Sequence, residues 1–172
     1  MINLSNAAAK RFGINWKDLG ERTGDFWKID AVMVERVPML FIVHEYTLFT
    51  LVRRKSQFRD LSAVANEIVN SCPWYSGLKT LTLGKNGNRR LTGSVNEMKR
   101  MTLGLFYPDQ INGMEMAINQ GLFSYLSAER EGYSTPFEAV ELYAKGQTHW
   151  LQPAPSRGLL VNSRPVGRAF KT

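Results

Sequence analysis

Acidic side chains are scarce where basic ones are densest. Residues 53–100 hold ten lysines and arginines against three acids, Asp60, Glu67 and Glu97. Residues 142–172 hold Lys145, Arg157, Arg164, Arg168 and Lys171 and no acid at all, while the remainder of the chain has seven basic and twelve acidic side chains. The net charge of +7 is therefore segregated. A segregated field attracts an acidic partner in a way that a uniform field of the same total does not. Cysteine is nearly absent too. Cys72 stands alone, which excludes an internal disulfide framework and a multi-cysteine zinc site. Its neighbours Val69 and Trp74 predict a buried thiol near a helix end.

Histidine is limited to His44 and His149, too few to build a histidine metal site, so neither metal nor other cofactor is expected. The longest apolar run, Met39 to Val43, is far too short to span a bilayer, and Met1 to Leu4 lacks the basic-then-apolar opening of a signal peptide. These absences predict a cytoplasmic protein with no membrane contact. In that compartment a chain of pI 9.7 has nucleic acid as its leading acidic partner.

What is present suffices for a core: 172 residues, 44% apolar and 11% aromatic. Ser5 or Asn6 can cap a short helix, Ala7 to Phe12, ended by Gly13. Phe26 to Val34 alternates as a strand with Trp27, Ile29, Ala31 and Met33 on one side. Residues 35–38 form a turn. Met39 to Val43 and Thr47 to Val52 are two further strands of a meander, bent back at His44 and Glu45. A helix over 60–71 places Leu61, Val64, Ala65, Ile68 and Val69 on one face and stops at Pro73. Leu78 to Leu83 alternates as a strand, and Gly84 to Arg90 reads as an exposed basic loop. Ser94 and Glu97 fit a capping box, so a helix is expected to start there and to carry Met98, Met101 and Leu105. A helix over about 110–128 follows. Thr135, Pro136 and Glu138 open another, which ends at Gly146. The last 26 residues lack periodicity and read as an extended basic tail.

Four stretches carry a likeness. They are Leu4 to Phe12 with its basic helix, the aromatic pair Phe26 and Trp27, the hairpin Met39 to Thr50, and Asn88 to Met98. The last contains Arg89, Gly93, Ser94, Asn96 and Glu97 in an Arg-x-x-x-Gly-Ser-x-Asn-acid pattern. Through about Arg100 the chain resembles a family of small bacterial proteins known only as a domain of unknown function. The resemblance implies a compact α+β domain of prokaryotic or mobile-element origin and implies no activity.

Candidate sites follow from the charge. In the 84–90 segment, Lys85, Arg89 and Arg90 could reach phosphate oxygens. The supposed helix start at Gly93 to Val95 would add free N–H groups, with Lys99 and Arg100 a turn further on. Arg53, Arg54 and Lys55 end the third strand and would join the same patch if the two segments shared a sheet edge. Arg157, Arg164 and Arg168 would assist from the tail. His44 beside Glu45 at a solvated hairpin tip is a weak candidate for general-base chemistry. No hydrolase, metalloprotease, phosphate-loop or dinucleotide signature accompanies it, so an enzyme is not favoured.

The expected fold is α+β: a small, mainly antiparallel sheet packed by helices, sheet-rich over 1–107 and helical over 108–146, with the tail at 147–172. The expected function is non-enzymatic binding of nucleic acid or a nucleoprotein assembly, in a phage or plasmid defence or counter-defence setting. One alternative is a toxin-like RNA-cleaving or phosphotransfer enzyme, which requires His44 and the 84–90 segment to share a concave site. Another is a protein-interaction module docking its basic tail on an acidic partner.

Overall fold

A computed structural model describes residues 1–22, 26–76, 81–86, 88–123, 126 and 134–147. The chain opens with β1 (Ile2–Leu4) and α1 (Asn6–Arg11). Ser5 caps that helix by accepting from the Ala8 N–H at 3.1 Å, and Gly13 beyond its end takes φ +68°, the left-handed conformation glycine tolerates. After β2 (Glu21–Arg22) comes the meander: β3 (Trp27–Val34), β4 (Val37–His44) and β5 (Thr50–Arg54). The β3–β4 turn is tighter than the sequence suggested. Glu35 and Arg36 both take positive φ, as a two-residue hairpin loop demands, so Val37 and Pro38 already pair with Val34 and Met33.

Next come α2 (Leu61–Ser71), β6 (Leu83–Asn86) and α3 (Arg89–Thr102), then α4 (Ile111–Asn119) and α5 (Pro136–Ala144). The six strands lie in the order β2-β6-β1-β3-β4-β5. The meander is antiparallel as expected. The flank formed by β2, β6 and β1 is parallel to β3, which makes the sheet mixed.

Alternation along β4 divides the core. Leu40 and Ile42 join Ile2, Leu4, Trp27 and Ile29 beneath α1 and α2, whose Ala8, Ala9, Leu61, Val64 and Ile68 are buried there. Met39, Phe41 and Val43 face the other way, against Leu91, Val95 and Met98 of α3, Met114 and Ile118 of α4, and Ala139 of α5. Each side chain that leaves water entirely contributes about 1.5–3 kcal/mol, so both faces hold the sheet. Val69, placed on the apolar face of α2 by spacing, is exposed. Cys72 caps α2 fully buried, and burial pushes its thiol up to about 12, which leaves it unreactive.

The boundaries of β6, α3 and α4 differ from those read in the sequence. The described residues of the supposed 84–90 loop belong to other elements: Gly84 and Lys85 lie within β6, and Arg89 and Arg90 form the first turn of α3. That helix does not start at Ser94. Asn88 caps it by accepting from the Leu91 N–H at 3.1 Å, and Ser94 is buried in its middle. The apolar stripe Leu91, Val95, Met98 begins before the Ser94–Glu97 pattern and overrides it. Finally, α4 ends at Asn119; Phe123 bridges to Ser134, and Leu122 is exposed. The α5 start matches expectation in full, with Thr135 and Glu138 bonding reciprocally at 3.2 and 3.0 Å.

Of the strand expected over 78–83, residues 78–80 lie outside the described residues, Leu81 and Thr82 are not in a strand, and Leu83 opens β6. The tail from 148 onward, and with it His149, Arg157, Arg164 and Arg168, also lies outside the described residues. No helix among the described residues is long and apolar enough to cross a membrane.

Candidate functional site

The two basic segments do not merge. β5 is the last strand on one side of the sheet, and β6 is separated from it by β1, β3 and β4. At the usual strand spacing that is about 19 Å. Most of the basic side chains near β5 are also engaged within the chain. Arg53 pairs with Glu67 at 2.7 Å and with Glu115, and it donates to the Val52 carbonyl at 2.8 Å. Arg54 donates twice to the Pro108 carbonyl, at 3.2 and 3.1 Å. Lys55 donates to the Phe58 carbonyl at 2.8 Å and lies 4.3 Å from the centroid of the Phe12 ring. A lone strand-end arginine is solvated; these three are fasteners between β5 and its neighbours.

The other candidates separate by face of α3. Lys99 turns inward and pairs with Asp30 at 2.6 Å. Lys85, on β6, sits 5.1 Å from the centroid of Trp16. Outward point Arg89, Arg90, Thr92, Gly93, Asn96, Glu97 and Arg100. Of these, Arg89, Gly93, Asn96 and Arg100 recur at helical spacing and share one line along the helix. The Arg89 and Arg100 side chains form no hydrogen bond or ion pair among the described residues, and their α-carbons are about 16 Å apart along the axis. Between them the surface is low. A side chain built at Gly93 would meet nothing within 4 Å, so no internal packing demands glycine there. An exposed mid-helix glycine costs about 1 kcal/mol relative to alanine. The backbone N–H groups at 93–95 lie inside the helix, so the anion cradle expected at a helix start is not formed there.

Beneath α3 lies a charged cluster that pattern reading passed over. Lys28 and Asp30 point from β3 toward α3 and are only 2% and 6% exposed. Lys28 Nζ donates to Thr92 Oγ1 at 2.9 Å. Asp30 accepts from Lys99 Nζ at 2.6 Å, from Ser5 Oγ at 2.6 Å and from the Ala31 N–H at 2.8 Å. Burial pushes Lys28 down to about 8, against the pull of Asp30 and with help from the Lys99 charge. Burial works on Asp30 in the opposite sense, but the bonds from Lys99 and Ser5 and the two ammonium charges outweigh it and hold the carboxyl below its usual range.

The signal was present in the strand. With Trp27 and Ile29 on one face, Lys28 and Asp30 share the other with Phe26, Val32 and Val34, which is itself apolar. A buried lysine of lowered pKa is a familiar active-site feature. Here its amine is enclosed and bonded to a threonine, so the cluster joins α3, β3 and the α1 cap without facing a substrate.

This predicts a pH signature. Above about pH 8 folded Lys28 sheds its proton, whereas the unfolded chain keeps it to 10.5. The unfolded state then binds more protons, so this group makes stability rise with pH across that window, by up to about 3 kcal/mol. Cys72 acts oppositely, its stabilising contribution being lost above the ordinary thiol value of 9. Comparing denaturant midpoints of the wild type and Lys28→Met from pH 7 to 11 cancels the thiol. The difference should shift by about that amount in favour of the wild type, and a constant difference would refute the assignment.

His44 and Glu45 are not a solvated tip. They are 0% and 3% exposed. His44 Nδ1 lies 2.9 Å from Thr47 Oγ1, and its ring is enclosed by Trp27, Tyr46, Trp74, Tyr75 and Tyr143 at centroid distances of 5.0–6.0 Å. Glu45 Oε1 accepts from Asn88 Nδ2 at 3.0 Å, so the turn and the start of α3 do meet. At this junction His44 and Glu45 are both buried, so neither side chain faces solvent. Among the described residues, no group of three or more histidine, cysteine, aspartate or glutamate side chains could hold a metal ion.

Fold and site together define an α+β domain whose third helix presents an arginine-flanked outer face over a buried lysine–aspartate–lysine cluster. The chain matches no protein-family model, and no curated protein matches it.

Proposed function

We propose that this is a non-enzymatic binding protein that engages nucleic acid, alone or in a nucleoprotein assembly, through the outer face of α3. The observation that carries the reading is the line Arg89, Gly93, Asn96, Arg100: two arginines without side-chain partners among the described residues, flanking a low, polar, neutral middle. Long arginine side chains rooted about 16 Å apart on one helix face can reach phosphates on either side of a groove about 12 Å wide. Asn96 adds an amide able to bond a base edge, and Gly93 lets a backbone approach closely. Arg90 lies at the edge of this face, and Arg157, Arg164 and Arg168 of the tail would add non-specific phosphate contacts. Arg53, Arg54, Lys55 and Lys99 are left out because their side chains are already held by acids or carbonyls within the chain. The likeness of residues 88–98 to a bacterial family is compatible with a phage or plasmid setting.

A salt series of binding to labelled duplex DNA and RNA of mixed sequence tests this. Arg89→Ala/Arg100→Ala should lower the slope of log affinity against log salt by about two, with little change in thermal stability. Gly93→Gln should stabilise the helix yet weaken binding. Unchanged slopes in the double variant would discard the α3 interface. Strand cleavage during the assay would revive the enzymatic alternative.

A further inference from the structure

The two flanks of the meander are treated very differently. Along β5, α4 covers the outer edge with side chains that imitate a strand: Asn119 bonds both the Thr50 N–H and carbonyl, at 2.9 and 2.8 Å, and Glu115 accepts from the Val52 N–H at 2.6 Å. On the other flank β1 pairs only with Trp27, Lys28 and Ile29 of β3. At Ser5, whose N–H reaches the Ile29 carbonyl at 3.0 Å, the chain turns away into α1. Beyond that point β3 continues as far as Val34 with β4 on one side and, among the described residues, no strand on the other.

The bonding pattern says which groups are presented there. Trp27 donates to Met1 and Ile29 accepts from Ser5, so alternate residues Ala31 and Met33 also direct their backbone groups to this side. The Ala31 N–H is already taken by its neighbour's carboxylate, at 2.8 Å. Among the described residues, the Ala31 carbonyl and both Met33 groups form an open edge. A groove of about 420 Å³ runs along it, lined by Ala31, Val32 and Met33 on the strand and Ala7, Lys10 and Arg11 on α1. Met33 is 44% exposed, and Arg11 reaches over its sulfur at 3.1 Å. Neither Lys10 nor Arg11 has an acidic partner among the described residues.

We infer that the β3 edge at Ala31–Met33, beside Lys10 and Arg11, is a docking site for an extended acidic peptide of another protein, which adds as a strand. Backbone groups at strand spacing select a polypeptide, and the small floor of Ala7 and Ala31 leaves room for its alternate side chains. Charge selects its composition. The chain's own tail has four arginines and lysines beyond residue 150 and no acid, so it would bring like charge to Lys10 and Arg11. A second copy pairing edge to edge would set Lys10 and Arg11 against themselves. The groove belongs to the α1 layer, opposite α3, so this inference stands or falls separately from the nucleic-acid reading.

The test uses the full chain and a fluorescein-labelled peptide alternating glutamate and valine, read by anisotropy and by amide hydrogen exchange. Saturable binding is expected, with slowed exchange at Met33. Lys10→Glu/Arg11→Glu should weaken it about tenfold or more, and a lysine–valine peptide should recover affinity for that variant. Lys10→Gln/Arg11→Gln should give an intermediate loss and guards against misfolding of the reversed pair. The inference is overturned if the glutamate peptide does not bind, if the variants bind it equally, or if Met33 is left unprotected. It is also overturned if the chain dimerises through this edge, or if an oligonucleotide displaces the peptide and itself protects Met33.

Discussion

Asp30→Ala is expected to destabilise the protein by about 3–5 kcal/mol, the range for removing one partner of a buried ion pair. Among the described residues Asp30 is the only acid bonded to this cluster. Its loss leaves Lys28 and Lys99 facing each other under α3 and removes the acceptor for Ser5, the residue that caps α1. Three elements loosen together. Urea unfolding of the wild type and variant measures the cost, and the double variant Asp30→Ala/Lys28→Met identifies its cause. If uncompensated charge dominates, the second substitution recovers most of the loss. If it recovers nothing, the cost lies in the lost hydrogen bonds. A loss below about 1 kcal/mol would mean that Lys28 reaches water, contrary to its burial. The acid limb follows with a definite sign. Because the folded carboxyl is held below 3.8, its stabilisation is fully present above that value and disappears as pH falls through the folded pKa.

Asn119→Ala should cost about 2–4 kcal/mol, since it strands a buried N–H and a buried carbonyl on Thr50, each worth roughly 1–3 kcal/mol when left unmade. Asn119 is almost wholly buried and is joined to β5 by two short bonds. A second consequence concerns association. Without this amide the outer edge of β5 is open to strands from other molecules. Light scattering near the unfolding midpoint should therefore show self-association in the variant at concentrations where the wild type stays monodisperse. Wild-type stability with no scattering would show that Glu115 alone shields the edge.

Local chemistry was legible wherever a short stretch decides its own conformation. The Ser5 cap and Gly13 stop, the Asp60 start of α2, and the Thr135–Pro136–Glu138 opening of α5 each depend on side chains within a few residues. The meander was legible because alternation and turn residues lie next to one another. Ser94 misled for the same reason: its local pattern is a valid cap, but Asn88 offers another one just before the stripe that packs on the sheet. Val69 shows the limit of periodicity, which gives a face without saying how wide a strip of it the sheet covers.

By itself the amino-acid order determined the α+β class, most helix starts, the antiparallel half of the sheet and the separation of positive charge from negative. These depend on propensities and periodicities that act over one turn or one hairpin. Tertiary structure alone decided which cations face water. Inserting β1 between β3 and β6 moved the two basic segments to distant strands, and the packing of α2, α3 and α4 drew Lys99 onto Asp30 and Arg53 onto Glu67 and Glu115. Those partners are between 14 and 69 positions apart in the chain. A charge's availability depends on long-range neighbours, and no local pattern in a sequence records them.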